Sequence, residues 1–132
     1  LSMDLDGFKQ VNDSFGHPTG DHLLRKVAER LTRAFREDDI VSRVGGDEFV
    51  ILLPGTTEIE ATYLAKRAIE TISTPFELGA GSPVRVGLSI GGAFAPVDGV
   101  EAEDLLNCSD LALYEAKRTG KGKYRAHMQQ TG

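Results

Sequence analysis

Four acidic side chains fall where strands would end. Asp4 and Asp6 stand at the mouth of an apolar run that begins at Leu1, and Asp47 and Glu48 follow Gly45-Gly46 at the tip of a hairpin. Carboxylates on a rigid strand end offer oxygen ligands to a hard divalent cation and leave positions open for water and phosphate. Gly45 and Gly46 have no Cβ, so the turn can adopt φ > 0 and let a ligand approach the backbone. Taken singly, each is also what a solvated turn residue looks like. Together they point to metal-assisted phosphate chemistry, because Asn-Gly or Asp-Gly alone would have made the turn.

Two other motifs begin in the same way. An EF-hand loop needs Asp-x-Asp-x-Asp-Gly; here Phe8 holds the fifth position and Gly7 comes one place early. A haloacid-dehalogenase-type phosphatase also opens with Asp-x-Asp-Gly, as in Asp4-Leu5-Asp6-Gly7. It continues with Thr or Val rather than Phe8 and needs a longer chain and a later acidic pair.

The elements that must position these acids can be read from periodicity. Leu1–Leu5 is the end of a strand, Phe8–Phe15 a short helix or turn, and Gly16–Gly20 a loop, with His17 structural within it. A helix starts at Asp21, with Leu23, Leu24, Val27, Ala28, Leu31, Ala34 and Phe35 on one face. Asp39–Val44 and Phe49–Leu53 are strands joined by the Gly45-Gly46 hairpin turn. A second amphipathic helix covers about Glu58 to Ser73. Val84, Val86, Leu88 and Ile90 alternate as a half-buried strand. A last helix covers roughly Ala102 to Arg118, with Leu105, Leu106, Leu111, Ala112 and Tyr114 inward, and Gly120 stops it. Strands and helices without strict alternation predict an α+β fold, with helices flanking a mostly antiparallel central sheet.

Composition narrows the function classes. The 132 residues suit one domain, and 40% hydrophobic with 27% charged residues is ordinary globular usage. With 15 Lys+Arg against 20 Asp+Glu the net charge is −5, so no positive excess exists to replace the counterions of a nucleic acid. The single Cys108 cannot form an internal disulfide, and no apolar run is long enough to span a bilayer.

Gly45-Gly46-Asp47-Glu48-Phe49 resembles the signature of the GGDEF domains, the diguanylate cyclases. Asp4-Leu5-Asp6-Gly7-Phe8-Lys9, Val11-Asn12-Asp13 and Gly16-His17-Pro18-Thr19-Gly20-Asp21 look like the first block of that family. Asp110, Ala112-Leu113-Tyr114, Ala116-Lys117 and Gly120-Lys121 look like its last. The resemblance covers nearly the whole of residues 1–132. It implies a single GGDEF domain, N-terminally truncated, lacking an upstream helix and the start of the first strand. It departs from the family at Gly122, where Asn is common, and at His22, where Glu is frequent.

The resemblance implies a fold akin to nucleotidyl cyclases and polymerase palms. It also implies a reaction in which two GTP condense to cyclic di-GMP, releasing two pyrophosphates, across a two-fold homodimer. Asp4, the Leu5 carbonyl, Asp47 and Glu48 would hold Mg2+ or Mn2+, and Asp47 would accept the 3′-hydroxyl proton. Lys9 would lie near the transferring phosphate. Gly7, Phe8, Gly45 and Gly46 would approach the substrate through backbone, Asn12 and Asp21 would read the guanine edge, and Lys117 and Lys121 would hold the terminal phosphates.

Arg36-Glu37-Asp38-Asp39 resembles the family's RxxD product-inhibition site, with Arg67 as a third member. Six extended steps from Asp39 to Gly45 span roughly 20 Å, so the two sites cannot grip one phosphate. GTP chemistry implies a cytoplasmic domain without membrane contact of its own, in a parent protein that could be membrane-anchored. The rival function is a catalytically weak GTP- or cyclic di-GMP-binding module joined to a phosphodiesterase or another output domain.

Overall fold

The computed structural model describes residues 1–79 and 81–128. In chain order the elements are β1 (Ser2–Asp6), α1 (Phe8–Phe15), α2 (His17–Ala34), β2 (Ile40–Gly45), β3 (Glu48–Leu52), α3 (Glu58–Ser73), β4 (Gly87–Gly92), α4 (Ala102–Arg118) and β5 (Tyr124–Ala126). The strands form one mixed sheet in the order β2-β3-β1-β4-β5, antiparallel throughout except for the β4–β5 pair.

Period two in β1 divides the molecule. Met3 and Leu5 point into the main core, among Leu23, Val27 and Leu31 of α2, Leu64 and Ala68 of α3, and Phe49, Ile51, Leu88 and Ile90 of the sheet. The alternate residues Ser2 and Asp4 face α4, where Ser2 Oγ meets Ser109 Oγ at 2.5 Å and Asp4 pairs with Lys117. The acidic residues therefore occupy the polar face of a strand whose other face anchors the core.

Local signals set the helix ends. Gly16 (φ +89) separates α1 from α2, and Pro18 is accommodated in the first turn of α2, where a missing N–H costs nothing. The segment 16–20, expected as a loop, is thus mostly helix, and His17 is exposed at the first position of α2 rather than packed in a loop. Thr57 caps α3 by accepting from the Glu60 N–H at 3.1 Å, and its hydroxyl reaches Glu60 Oε1 at 3.1 Å. α4 ends with Lys121 N–H donating to the Ala116 carbonyl at 3.1 Å, and Gly120 (φ +127) sits just past the helix end.

Three further features differ from expectation. The strand predicted from Val84 begins at Gly87; Val84 instead makes an isolated antiparallel bridge with Phe76. Residues 124–126 form an edge strand that their polar pattern did not signal. On α4, Leu106, Leu111 and Tyr114 are exposed, and the buried positions are Ser109, Ala112 and Ala116. The cause is how closely α4 lies on β4. A Cβ at Gly91 would stand 2.2 Å from both the Ser109 carbonyl and the Leu113 nitrogen, so only small residues fit beneath the helix.

Candidate active site

Antiparallel pairing carries the hairpin acids to β1. Asp4 is opposite Glu48 in the β1–β3 register, and the Leu5 N–H donates to the Asp47 carbonyl at 3.2 Å. Residues 42 and 44 apart in sequence thereby meet at one strand end. Burial, then the charge and hydrogen bond of the neighbouring Asp4 carboxyl, push the Asp47 pKa above the usual carboxylate range, while Lys117 pulls the other way. Two carboxylates this close want either a shared proton or a cation between them.

The cation present is Lys117, whose Nζ pairs with Asp4 Oδ2. Asp4 Oδ1 is buried and has no hydrogen-bond partner. An orphaned carboxylate oxygen beside a second carboxyl is a fit for a hard divalent ion, and the all-oxygen donor set suits Mg2+ or Mn2+. Glu48 is exposed at the same strand end and Leu5 is buried within it.

The neighbouring backbone is arranged for an anion. Gly7 adopts a left-handed conformation (φ +91, ψ 6) at the head of α1, whose first turn has no side-chain cap. Its amides are available for phosphate oxygens around Gly7 and Phe8. Lys9 is exposed in that same turn. Gly45 and Gly46 are exposed at the hairpin tip, Gly46 with φ +37, and a Cβ at either would meet nothing within 4 Å. A cleft of about 250 Å³ adjoins the site between the β2–β3 hairpin and α4, with Glu48, Val44, Tyr114 and Lys117 among its walls.

Asn12 and Asp21 lie on the adjacent α1–α2 pair. Asn12 is wedged against Gly20, where a Cβ would fall 1.8 Å from Asn12 Oδ1, and that oxygen is buried without a partner. Asp21 is exposed in the first turns of α2. Lys121 is exposed with φ +59, a strained backbone for a non-glycine residue. Its loop is held by a bond network that sequence reasoning missed. The Gly122 N–H donates to Asp6 Oδ2 (3.1 Å) and Ser89 Oγ (3.0 Å), while the Ser89 hydroxyl donates to the same Asp6 oxygen at 2.6 Å. Asp6 is therefore tied to the lysine loop through Oδ2, while its buried Oδ1 has no hydrogen-bond partner.

The second expected site stands apart, at the other end of β2. Arg36 and Asp39 bind each other: Nη2 to Oδ1 at 2.9 Å, Nε to Oδ2 at 3.1 Å, and the Arg36 N–H to Oδ2 at 2.8 Å. Thr56 Oγ1, Glu60 Oε2 and the Pro54 carbonyl also accept from the guanidinium. The Asp39 side chain is fully covered, whereas Arg36 is 38% exposed. Burial pushes the Asp39 pKa up, but the bonds from Arg36 outweigh it and hold the carboxyl below its usual range. In this arrangement only Arg36 faces outward; Arg67 is exposed along α3.

A mixed sheet flanked by helices, with a carboxylate pair and basic residues at the end of its central strand, defines a nucleotidyl-cyclase-like domain. The family model described as "Diguanylate cyclase, GGDEF domain" matches residues 1–123. A bifunctional diguanylate cyclase/cyclic di-GMP phosphodiesterase of Pseudomonas aeruginosa, MucR, is 44% identical over 94% of this chain and 18% of its own length. The diguanylate cyclase TpbB of the same organism is 40% identical over 95% and 29%. The crystal structure of the TpbB GGDEF domain superposes with a TM-score of 0.90 at 37% identity, covering 98% of this chain and 81% of that one. This chain belongs to the GGDEF domain family. It spans less than a third of the length of these curated relatives.

Proposed function

We propose that this domain is a diguanylate cyclase that joins two GTP into cyclic di-GMP and two pyrophosphates. The observation that carries the reading is the convergence of Asp4 and Asp47, with Asp4 Oδ1 orphaned and Lys117 alongside. Asp4, Asp47, Glu48 and the Leu5 carbonyl would hold Mg2+ or Mn2+, which when bound supplies charge neutralisation at the phosphates and at the attacking oxygen. The α1 amides, Lys9, Lys117 and Lys121 bind the triphosphate. Asn12 Oδ1 and the Asp21 carboxylate accept from the guanine N1–H and N2–H₂, a donor pair that adenine lacks. The 3′-hydroxyl of one GTP attacks the α-phosphorus of the other, its proton passes to Asp47, and pyrophosphate leaves. One site holds one GTP, so two copies must face each other.

Product inhibition at Arg36, Asp39 and Arg67 belongs to the same proposal. The covered Asp39 means that cyclic di-GMP meets Arg36 first, and Asp39 becomes an acceptor only if that ion pair opens. A GGDEF domain of Caulobacter crescentus DgcB, 26% identical with a TM-score of 0.85, was solved in complex with cyclic di-GMP. Calorimetry with cyclic di-GMP should show binding to the wild type and a large loss in Arg36→Ala; equal affinities would remove this part.

A second reading has its own support, since a relative 39% identical over 92% of this chain is a cyclic di-GMP phosphodiesterase of P. aeruginosa, NbdA. On this second reading the present domain binds GTP and regulates a neighbouring domain. Incubating dimerised protein with GTP and Mg2+ or Mn2+, then separating the nucleotides, decides between them. Cyclic di-GMP that disappears in Asp47→Ala supports the cyclase. Tight GTP binding without product supports the regulatory module.

A further inference from the structure

A second cluster of chemistry-bearing side chains lies away from the acidic strand end. Asp98 belongs to the loop after β4, Cys108 to the second turn of α4, and His127 follows β5 directly. The Asp98 side chain is 2% exposed and is the hub. Its Oδ2 accepts the Phe94 N–H at 2.8 Å, its Oδ1 meets His127 Nδ1 at 2.8 Å, and its main-chain carbonyl accepts the Cys108 thiol at 3.4 Å. One ligating atom from each residue lies within 4.8 Å of the others.

We propose that Asp98, Cys108 and His127 form a binding site for a thiophilic divalent cation, with Zn2+ as its prototype. Sulfur, imidazole nitrogen and carboxylate oxygen make the donor set of zinc, not of magnesium. Zinc bonds of ~2.3 Å to sulfur and ~2.0 Å to nitrogen or oxygen put tetrahedral ligand atoms about 3.5 Å apart, so roughly 1 Å of side-chain adjustment closes the cage. Three protein ligands leave the fourth position to water. A nucleophilic role for the trio is disfavoured. Burial, with the Asp98 and Asp104 carboxylates, pushes the Cys108 thiol up, and its hydrogen bond runs to a carbonyl rather than to the imidazole.

The position gives the site a consequence. Cys108 is nine residues before Lys117 on α4, about 13 Å along the helix. The two metal sites are thus separate and differ in donor chemistry. An ion at the cysteine end would bolt the β4 loop and the segment after β5 to α4, the helix that carries Lys117 to Asp4.

The test uses chelator-stripped protein titrated with Co2+, as a coloured stand-in, and with Zn2+. The proposal expects a thiolate-to-cobalt charge-transfer band that saturates at one Co2+ per chain. Cys108→Ser should abolish that band, and it and His127→Ala should each weaken Zn2+ binding by about tenfold or more. Asp47→Ala should leave the thiolate band unchanged. Independently of any variant, Zn2+ should slow alkylation of Cys108 in the wild type by about tenfold or more, reversed by chelator. Absence of the thiolate band, Zn2+ affinity unaffected by Cys108→Ser, or unprotected alkylation at saturating Zn2+ would each overturn the site.

Discussion

Replacing Asp47 by Asn should stabilise the metal-free domain while destroying its chemistry. A carboxyl whose pKa is higher folded than unfolded binds more protons in the native state, so it costs stability as pH rises through its titration range. Burial and Asp4 raise Asp47 in this way. Two carboxylate charges ~4 Å apart at an effective dielectric constant near 20 repel by about 4 kcal/mol. Solvent reaches the half-buried Asp47, and the Lys117 ammonium offsets the charge on Asp4, so the residual penalty is about 1 kcal/mol. For a domain of this size that is a rise in Tm of about 4 °C at pH 7 for Asp47→Asn. The gap should shrink as pH falls toward ~4, the ordinary carboxylate value, and vanish below it, where Asp47 is protonated in both states. Magnesium should raise the wild-type Tm by mass action and move the variant far less. Thermal melts at pH 7 and pH 3, with chelator and with magnesium, measure all of this. A variant no more stable than wild type at pH 7, or a gap that persists at pH 3, would refute the electrostatic account of the site.

Three further outcomes follow from other contacts. Arg30 donates to the Thr71, Thr74 and Pro75 carbonyls at the C-terminal end of α3 and lies 3.5 Å from the centroid of the Phe76 ring; Arg30→Met should cost about 2–3 kcal/mol in urea unfolding, with Arg30→Lys restoring only part. Gly91→Ala must push α4 off β4, because the new Cβ would meet helix backbone at 2.2 Å; a loss of about 3 kcal/mol or more in the same assay is expected, with product formation lost as Lys117 moves. Ser89→Ala removes one of the two acceptors of the Gly122 amide and one of the two donors to Asp6 Oδ2; it should cost about 1 kcal/mol and raise the KM for GTP more than it lowers kcat, which steady-state kinetics would separate.

The residues that the structure gathers at the strand end were legible because short-range pattern exposes them. An apolar run ending in Asp4, a glycine pair before Asp47 and the helix stop at Gly120 each announce themselves within a few residues. Much of what was not legible depends on pairs distant in sequence. Asp6 reads as one more acid at the strand end, yet Ser89 and Gly122 engage its Oδ2, and nothing near Asp6 could signal partners 83 and 116 residues away. Arg36 and Asp39 were legible as a pair but not as partners of each other, since spacing says nothing about whether a carboxylate faces outward. On α4 the large apolar side chains misled, because Gly91 lets the helix approach too closely for anything beyond Ser109, Ala112 and Ala116 to fit beneath it.

That close approach links stability to function. α4 is positioned by small residues and by the Ser2–Ser109 hydroxyl pair, not by a wide apolar seam. Its polar side can therefore bring Lys117 against Asp4 without burying the carboxylates beyond a ligand's reach. A broader apolar seam would hold the helix more firmly but would cover the strand end where Asp4 and Asp47 meet. The fold keeps those two acids half-buried: close enough to repel and demand a cation, open enough for one to reach them.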